Sequence, residues 1–181
     1  MASYRLLGTI GRGAMGSVYR ALQLELNREV AIKLLSLEPT PELLERFHRE
    51  AAVQATLAHP NIVRVLDSGL MDGTVFLAME LVDGESLATA FADAPPPTEQ
   101  AFGLIAELAD ALAYLAERGI AHRDVKPSNL MLDRNGHVRL VDFGLTRDSN
   151  RTPLTEPGQV LGTPMYIAPE LLTGGTATPA G

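Results

Sequence analysis

The stretch His122-Arg123-Asp124-Val125-Lys126-Pro127-Ser128-Asn129 puts a histidine, two cations, a carboxylate and an amide within eight residues. Asp142-Phe143-Gly144 follows shortly after it. An amide oxygen and a carboxylate oxygen brought to a common point suit Mg²⁺, with phosphate oxygens completing the shell. So dense a set of functional groups is uncommon in a merely solvated turn. A second candidate is Gly11-Arg12-Gly13-Ala14-Met15-Gly16, a G-x-G-x-x-G. Alone, such a run fits a dinucleotide fingerprint, a flap over phosphates or a plain turn. A dinucleotide site needs a helix straight after the glycines. Ser17-Val18-Tyr19-Arg20 is instead β-branched and aromatic, which favours strand–turn–strand and leaves the flap and the plain turn open. A third candidate is Glu50, a carboxylate on the apolar stripe of a helix, where an unanswered charge is costly. Lys33, on the preceding strand, is the cation expected to meet it, and a partly exposed Glu50 at the stripe's margin is the alternative.

These residues need elements to hold them. Residues 6–35 read as strands, with Asn27-Arg28 as a turn and Lys33 near the end of Glu29–Leu35. Thr40-Pro41-Glu42 is a helix start, with Thr as cap and Pro in the first turn. Leu43, Phe47, Glu50, Gln54 and Leu57 then share one face, and His59-Pro60-Asn61 ends the helix. Strands are expected over Ile62–Asp67 and Val75–Leu81, with Asp72-Gly73 as their turn. A short helix spans Ser86–Ala92. A long one runs from Thr98 to about Arg118, with Phe102, Ile105, Ala109, Leu112 and Ala116 as its inner face and Gly119 closing it. Strands Leu130–Leu132 and His137–Val141, joined by Asn135-Gly136, would carry Asn129 and Asp142 at their open ends. The division falls at about Val82, between a β-rich and a helical lobe.

Composition narrows the function. The 181 residues include 22 acidic and 15 basic side chains, a formal charge of −7, which disfavours nucleic-acid binding through a basic footprint. With 0 Cys there is no disulfide framework, thiolate metal site or thiol nucleophile. No export signal or membrane-spanning segment is apparent. Of the 15 basic residues only Lys33 and Lys126 are lysines. Where arginine serves elsewhere, these two either mark places where a compact ammonium is needed or reflect base composition and chance.

With motifs and elements in hand, the chain resembles a Ser/Thr protein kinase of the bacterial branch. Gly11–Val18, Val30-Ala31-Ile32-Lys33, Glu50, His122–Asn129, Asp142-Phe143-Gly144 and Ala168-Pro169-Glu170 occur in that family's order. Lys126-Pro127-Ser128-Asn129 and Gly162-Thr163-Pro164-Met165-Tyr166 follow the Ser/Thr pattern. The resemblance implies an α+β, two-lobed fold: residues 1–82 as a β-rich ATP-binding lobe with one helix, and residues 83–181 as a partial helical lobe with catalytic loop, metal site and activation segment. It implies transfer of the ATP γ-phosphoryl group to Ser/Thr hydroxyls of a protein substrate, in a cytoplasmic signalling setting. The alternative is a non-catalytic kinase-like module that binds nucleotide or a partner.

The implied roles are specific. Ile10, Gly11, Arg12, Gly13, Ala14, Met15, Gly16, Ser17 and Val18 would cover ATP. Lys33, held by Glu50, would bind its α- and β-phosphates. Adenine would meet Ile10, Val18, Ala31 and Met131, with Met79 behind it and the Glu80–Val82 backbone supplying hydrogen bonds. Asp124 would orient the substrate hydroxyl and accept its proton, Lys126 would neutralise the transferring group, and Asn129 and Asp142 would hold Mg²⁺.

The chain also departs from the pattern. The family's lobe continues with helices beyond Glu170, one of which supplies an arginine partner for it, so a truncated form is expected. Phe102, Ile105, Ala109 and Leu112 would rest partly on those helices, which implies self-association, or disorder from about Asp148. Gln54 stands where the family packs an apolar side chain against Phe143. Thr152 and Thr155 are the expected phosphorylation sites of the activation segment, with Arg123 favouring a docked phosphate.

Overall fold

A computed structural model describes residues 3–13, 16–36, 40–122, 124–141 and 166. The chain divides into two compact units, residues 1–58 with 63–83, and residues 59–62 with 84–181.

The first unit is a five-stranded antiparallel sheet with one helix. Its strands are β1 (Tyr4–Gly13), β2 (Gly16–Gln23), β3 (Arg28–Leu35), β4 (Val65–Met71) and β5 (Thr74–Glu80), in the order β1-β2-β3-β5-β4. Alternation along β3 places Val30 and Ile32 with Ala21, Phe76 and Ala78 in one buried cluster. Tyr4 joins this cluster edge-on to Phe76 at 5.6 Å and donates its hydroxyl to Asp67 at 3.0 Å. Since Tyr4 lies on β1 and Asp67 on β4, that bond links the two edge strands and curls the sheet. Burial and the adjoining Asp67 carboxylate push the Tyr4 hydroxyl pKa well upward.

Asp72 (φ 49°) and Gly73 (φ 78°) form the turn expected between β4 and β5. β4 begins later than the sequence suggests, at Val65, because Ile62 instead bridges Leu140 in the second unit. Helix α1 (Pro41–Ala55) starts as predicted: the Thr40 hydroxyl accepts from Leu43 N at 3.3 Å. It ends at Ala55, short of His59, and buries Phe47, Ala51 and Gln54. The Gln54 Oε1 is a buried acceptor with no hydrogen-bond partner among the described residues.

The second unit holds β6 (Gly84–Ser86), α2 (Leu87–Ala90), α3 (Thr98–Ala116), a 3₁₀ turn (Pro127–Asn129), β7 (Leu130–Asp133) and β8 (Val138–Leu140). The strands pair in the order β6-β7-β8. β6 was not anticipated; its three residues are too few to show alternation. Gly84 is demanded there, because a Cβ would run into the carbonyl oxygen of Leu132 on β7. Ser86 caps α2 through a bond from Thr89 N at 3.1 Å. At the end of α3, Gly119 N reaches Ala116 O at 2.9 Å and Ile120 N reaches Leu115 O at 3.0 Å, the paired bonds of a glycine C-cap.

The face expected to be inward on α3 is a correction. Phe102 and Ile105 are 68% and 60% exposed, and Ala109 and Ala116 are exposed as well. Leu104, Ala111 and Leu115 are the buried residues, and Glu107 packs among them on that side. Glu107 accepts hydrogen bonds from Val138 and Asn61, and the exposed Asp110 meets His59, which fixes the side of the helix turned toward β8.

Candidate functional site

In the first unit, strand register places the side chains. β1 and β2 pair continuously from Tyr4–Gln23 to Gly13–Gly16, so the glycine run is a strand–turn–strand and not the entry to a helix. The tip, Ala14 and Met15, lies outside the described residues. Gly16 takes φ 144°, and a Cβ there would meet the Leu34 carbonyl. Only glycine allows β3 to pass this close. The ladder shifts register between Leu6 and Gly8 and between Thr9 and Gly11, and Ile10, in the second shift, is 53% exposed. Gly11, Arg12 and Gly13 continue β1, and Ser17, second residue of β2, pairs with Leu34.

Val18 pairs with Lys33, Lys33 with Leu77, and Ala31 with Met79. Residues paired across strands share a face, and so do residues two apart on one strand. Val18, Ala31, Lys33 and Met79 therefore lie on the same face, opposite the Ala21–Ala78 cluster. Lys33 is only 9% exposed. Glu80 N bonds Arg64 O at 3.0 Å at the end of β5, with Val82 two residues beyond. On α1, Glu50 is half-buried and carries an ion pair that the sequence reading missed: Arg46 Nε lies 3.3 Å from its Oε1. The i, i+4 spacing of the two residues was the available signal.

In the second unit, side-chain bonds do the placing. Asn129 donates both Nδ2 hydrogens to Asp124, one to its carbonyl oxygen and one to Oδ2, each at 2.8 Å. Lys126 Nζ lies 2.9 Å from the same Oδ2. Three residues expected to act together are thus joined within one loop. Pro127 starts the 3₁₀ turn that brings Asn129 back, and Asn129 N bonds Lys126 O at 2.8 Å. His122 is buried; its Nε2 meets Val141 O at 3.2 Å and its Nδ1 faces Asp124 N at 3.4 Å. One tautomer, with the proton on Nε2, satisfies both contacts. Val141 N returns a bond to Asn129 O at 3.0 Å. Met131, on β7, pairs with Ser86 on one side and Arg139 on the other.

Both amide hydrogens of Asn129 are committed to Asp124, which leaves the amide oxygen as its acceptor. A hard oxygen of that kind fits Mg²⁺. Among the described residues no cluster of three His, Asp or Glu could hold a metal unaided, so further oxygens must come from elsewhere. Asp142 lies outside the described residues, as do Arg123, Phe143, Thr152, Thr155 and Ala168–Glu170.

Comparison with known proteins bears on the whole arrangement. The protein kinase domain model matches residues 4–180. Serine/threonine-protein kinase PknJ of Mycobacterium tuberculosis is 42% identical over 179 residues, covering 96% of this chain and 30% of that protein. Serine/threonine-protein kinase PrkC of Bacillus subtilis is 37% identical over 178 residues, covering 97% of this chain and 28% of that protein. The crystal structure of the M. tuberculosis PknI kinase domain superposes with TM-score 0.76 at 33% identity, covering 97% of this chain and 66% of that one. The chain therefore spans about a third of the curated relatives and two thirds of the solved domain. The fold, the ordered motifs and these matches agree: the chain belongs to the protein kinase domain family, among its bacterial Ser/Thr members.

Proposed function

We propose that the chain binds Mg²⁺-ATP and carries the phosphoryl-transfer residues of a Ser/Thr protein kinase. The observation that carries this reading is the bonded set Asp124, Lys126 and Asn129, in which the lysine and the amide converge on the Asp124 carboxylate. Each unit carries its own group of proposed site residues. In the first, the sheet face with Val18, Ala31 and Met79 offers an apolar surface for adenine, and Lys33 offers a buried cation for the α- and β-phosphates. Glu50 is the counter-charge proposed for Lys33. Ile10, the glycine strands and the Glu80–Val82 backbone complete the nucleotide contacts proposed for this unit.

In the second unit Asp124 orients a substrate hydroxyl and takes its proton, its carboxylate held in place by two donors on Oδ2. Lys126 neutralises charge on the moving group, and the Asn129 amide oxygen with Asp142 would hold Mg²⁺, which supplies charge neutralisation of the phosphates when bound. Protein Ser/Thr hydroxyls are the proposed acceptors. No described helix is long and apolar enough to cross a membrane.

The test is phosphotransfer from labelled ATP to a generic basic protein by the purified chain, with Asp124→Asn alongside. Transfer that Asp124→Asn abolishes is the expected result. Saturable Mg²⁺-ATP binding with no transfer in either protein would instead favour the non-catalytic, nucleotide-binding reading.

A further inference from the structure

Within its three-stranded sheet β8 is the edge strand, and beyond β7 it meets only the single bridge from Ile62 to Leu140 among the described residues. An edge exposes backbone groups that must be answered. Here the side chains of Glu107 and Asn61 and the Asn61 backbone answer them. Glu107 Oε2 accepts from Val138 N at 2.8 Å, and Asn61 Nδ2 donates to Val138 O at 2.9 Å. Asn61 O accepts from Leu140 N at 2.7 Å. Glu107 also accepts from Asn61 Nδ2 at 3.1 Å, and its Oε1 takes His137 Nδ1 at 2.7 Å. One carboxylate on α3 thus gathers three donors and fixes both β8 and the residue that lines it.

The consequence reaches the candidate metal end of the hairpin. Leu130, Val138 and Leu140 are buried, so β7 and β8 move as one packed piece. Asn129 directly precedes β7, and its carbonyl takes the Val141 N–H just after β8. Val141 in turn precedes Asp142 and binds His122. Any slip of β8 along α3 is carried through Val141 to Asn129. We propose that Glu107 is a positioning residue for the Asn129 end of the hairpin, and so for the metal-dependent part of nucleotide binding. This rests on the reading of Asn129 as a Mg²⁺ ligand. Residues that support metal ligands from a distance commonly change metal affinity by about 10–100-fold when altered. Glu107 acts through a strand, so the lower end of that range is expected.

The experiment measures ATP affinity in Mg²⁺ and in EDTA for wild type, Asn129→Ala and Glu107→Gln, at a temperature where all are folded. The single amide oxygen of Gln must serve Val138 and Asn61, and its NH2 then faces His137 Nδ1, which can no longer donate there, so the charge that holds the three donors is lost. The expected result is an EDTA affinity unchanged by Glu107→Gln, with the gain on adding Mg²⁺ cut by about tenfold. An unchanged gain would overturn the proposal, as would equal losses in Mg²⁺ and EDTA, which mark a merely structural residue. If wild type and Asn129→Ala show the same gain, the reading of Asn129 fails first and takes the proposal with it. Where Glu107→Gln does not fold, Glu107→Asp carries the same comparison. Hydrogen exchange gives a second readout: the Val138, Leu140 and Val141 amides should exchange faster in the Glu107 variant, and unchanged protection would also overturn the proposal.

Discussion

The two units support their functional groups by different physics. In the first, Val18, Ala31, Lys33 and Met79 share a face because three strands are in register, and many backbone bonds enforce each placement. In the second, Asp124, Lys126 and Asn129 are placed by a few side-chain bonds around one short loop. A ladder distributes strain, while a loop of this kind depends on individual polar atoms. The sheet should therefore tolerate polar changes and resist added bulk where strands approach closely. The loop should be sensitive to the loss of any one group.

The largest effects should come from the two lysines. Lys33→Arg and Lys126→Arg are each expected to lower phosphotransfer by about 100-fold or more, because a planar guanidinium cannot occupy the position of a compact ammonium. Arg20→Lys is the control: the Arg20–Glu29 pair is exposed on both sides, and little should change. Steady-state rates with labelled ATP check this, and near-normal rates for both lysine variants would show that the choice of cation is immaterial.

Next come the backbone approaches. Gly16→Ala and Gly84→Ala should each cost about 1–3 kcal/mol, since a Cβ at either site meets a carbonyl of the adjacent strand. Urea denaturation measures both, and a cost near zero at both would mean that the strands separate freely. In the loop, Asn129→Ala removes two bonds to Asp124 and should cost about 1–3 kcal/mol. Thr9→Ala, on exposed β1, should stay within about 0.5 kcal/mol. Equal costs at Asn129 and Thr9 would erase the contrast between loop and sheet.

The smallest expected effect is a pH dependence. The hydrogen bond and charge of Glu107 raise the His137 pKa, against a smaller opposing contribution from burial. A raised histidine pKa means that the folded form binds the proton more tightly. Its stabilisation is full below the unfolded value of about 6.5 and is lost as pH rises through the higher folded value. His137 is exposed, so the slope should be shallow. Thermal midpoints at pH 6 and pH 8 should differ slightly in wild type and less in His137→Ala. An identical pH response in the two proteins would contradict the pairing.

Much of this was legible in the residues because it follows from local rules. Thr40-Pro41 set the start of α1, and Phe47, Gln54 and Leu57 on its predicted stripe are buried. The loop motif placed Asp124, Lys126 and Asn129 close enough in sequence to bond. What stayed hidden depends on distant partners. α3 is apolar almost all round, so its composition offers several inner faces. The choice is made by Asn61, His59 and Val138 receiving its acidic residues. The Arg46–Glu50 pair was visible as an i, i+4 spacing but was overshadowed by the partner expected on β3. The adjacency of β3 and β5 and the short strand β6 are set by packing rather than by any residue pattern.

That difference gives α3 its own test. Leu115→Ala, fully buried, should cost about 2–5 kcal/mol, whereas Phe102→Ala, mostly exposed, should cost far less. Comparable losses would restore the inner face expected from the sequence.

The central claim, that these residues form a nucleotide site, is tested most directly by calorimetric titration of the folded chain with millimolar Mg²⁺-ATP, for wild type and Lys33→Met. The account predicts saturable binding by wild type, weakened in Lys33→Met and in EDTA. No binding by wild type, in a sample shown to be folded by circular dichroism, would contradict it.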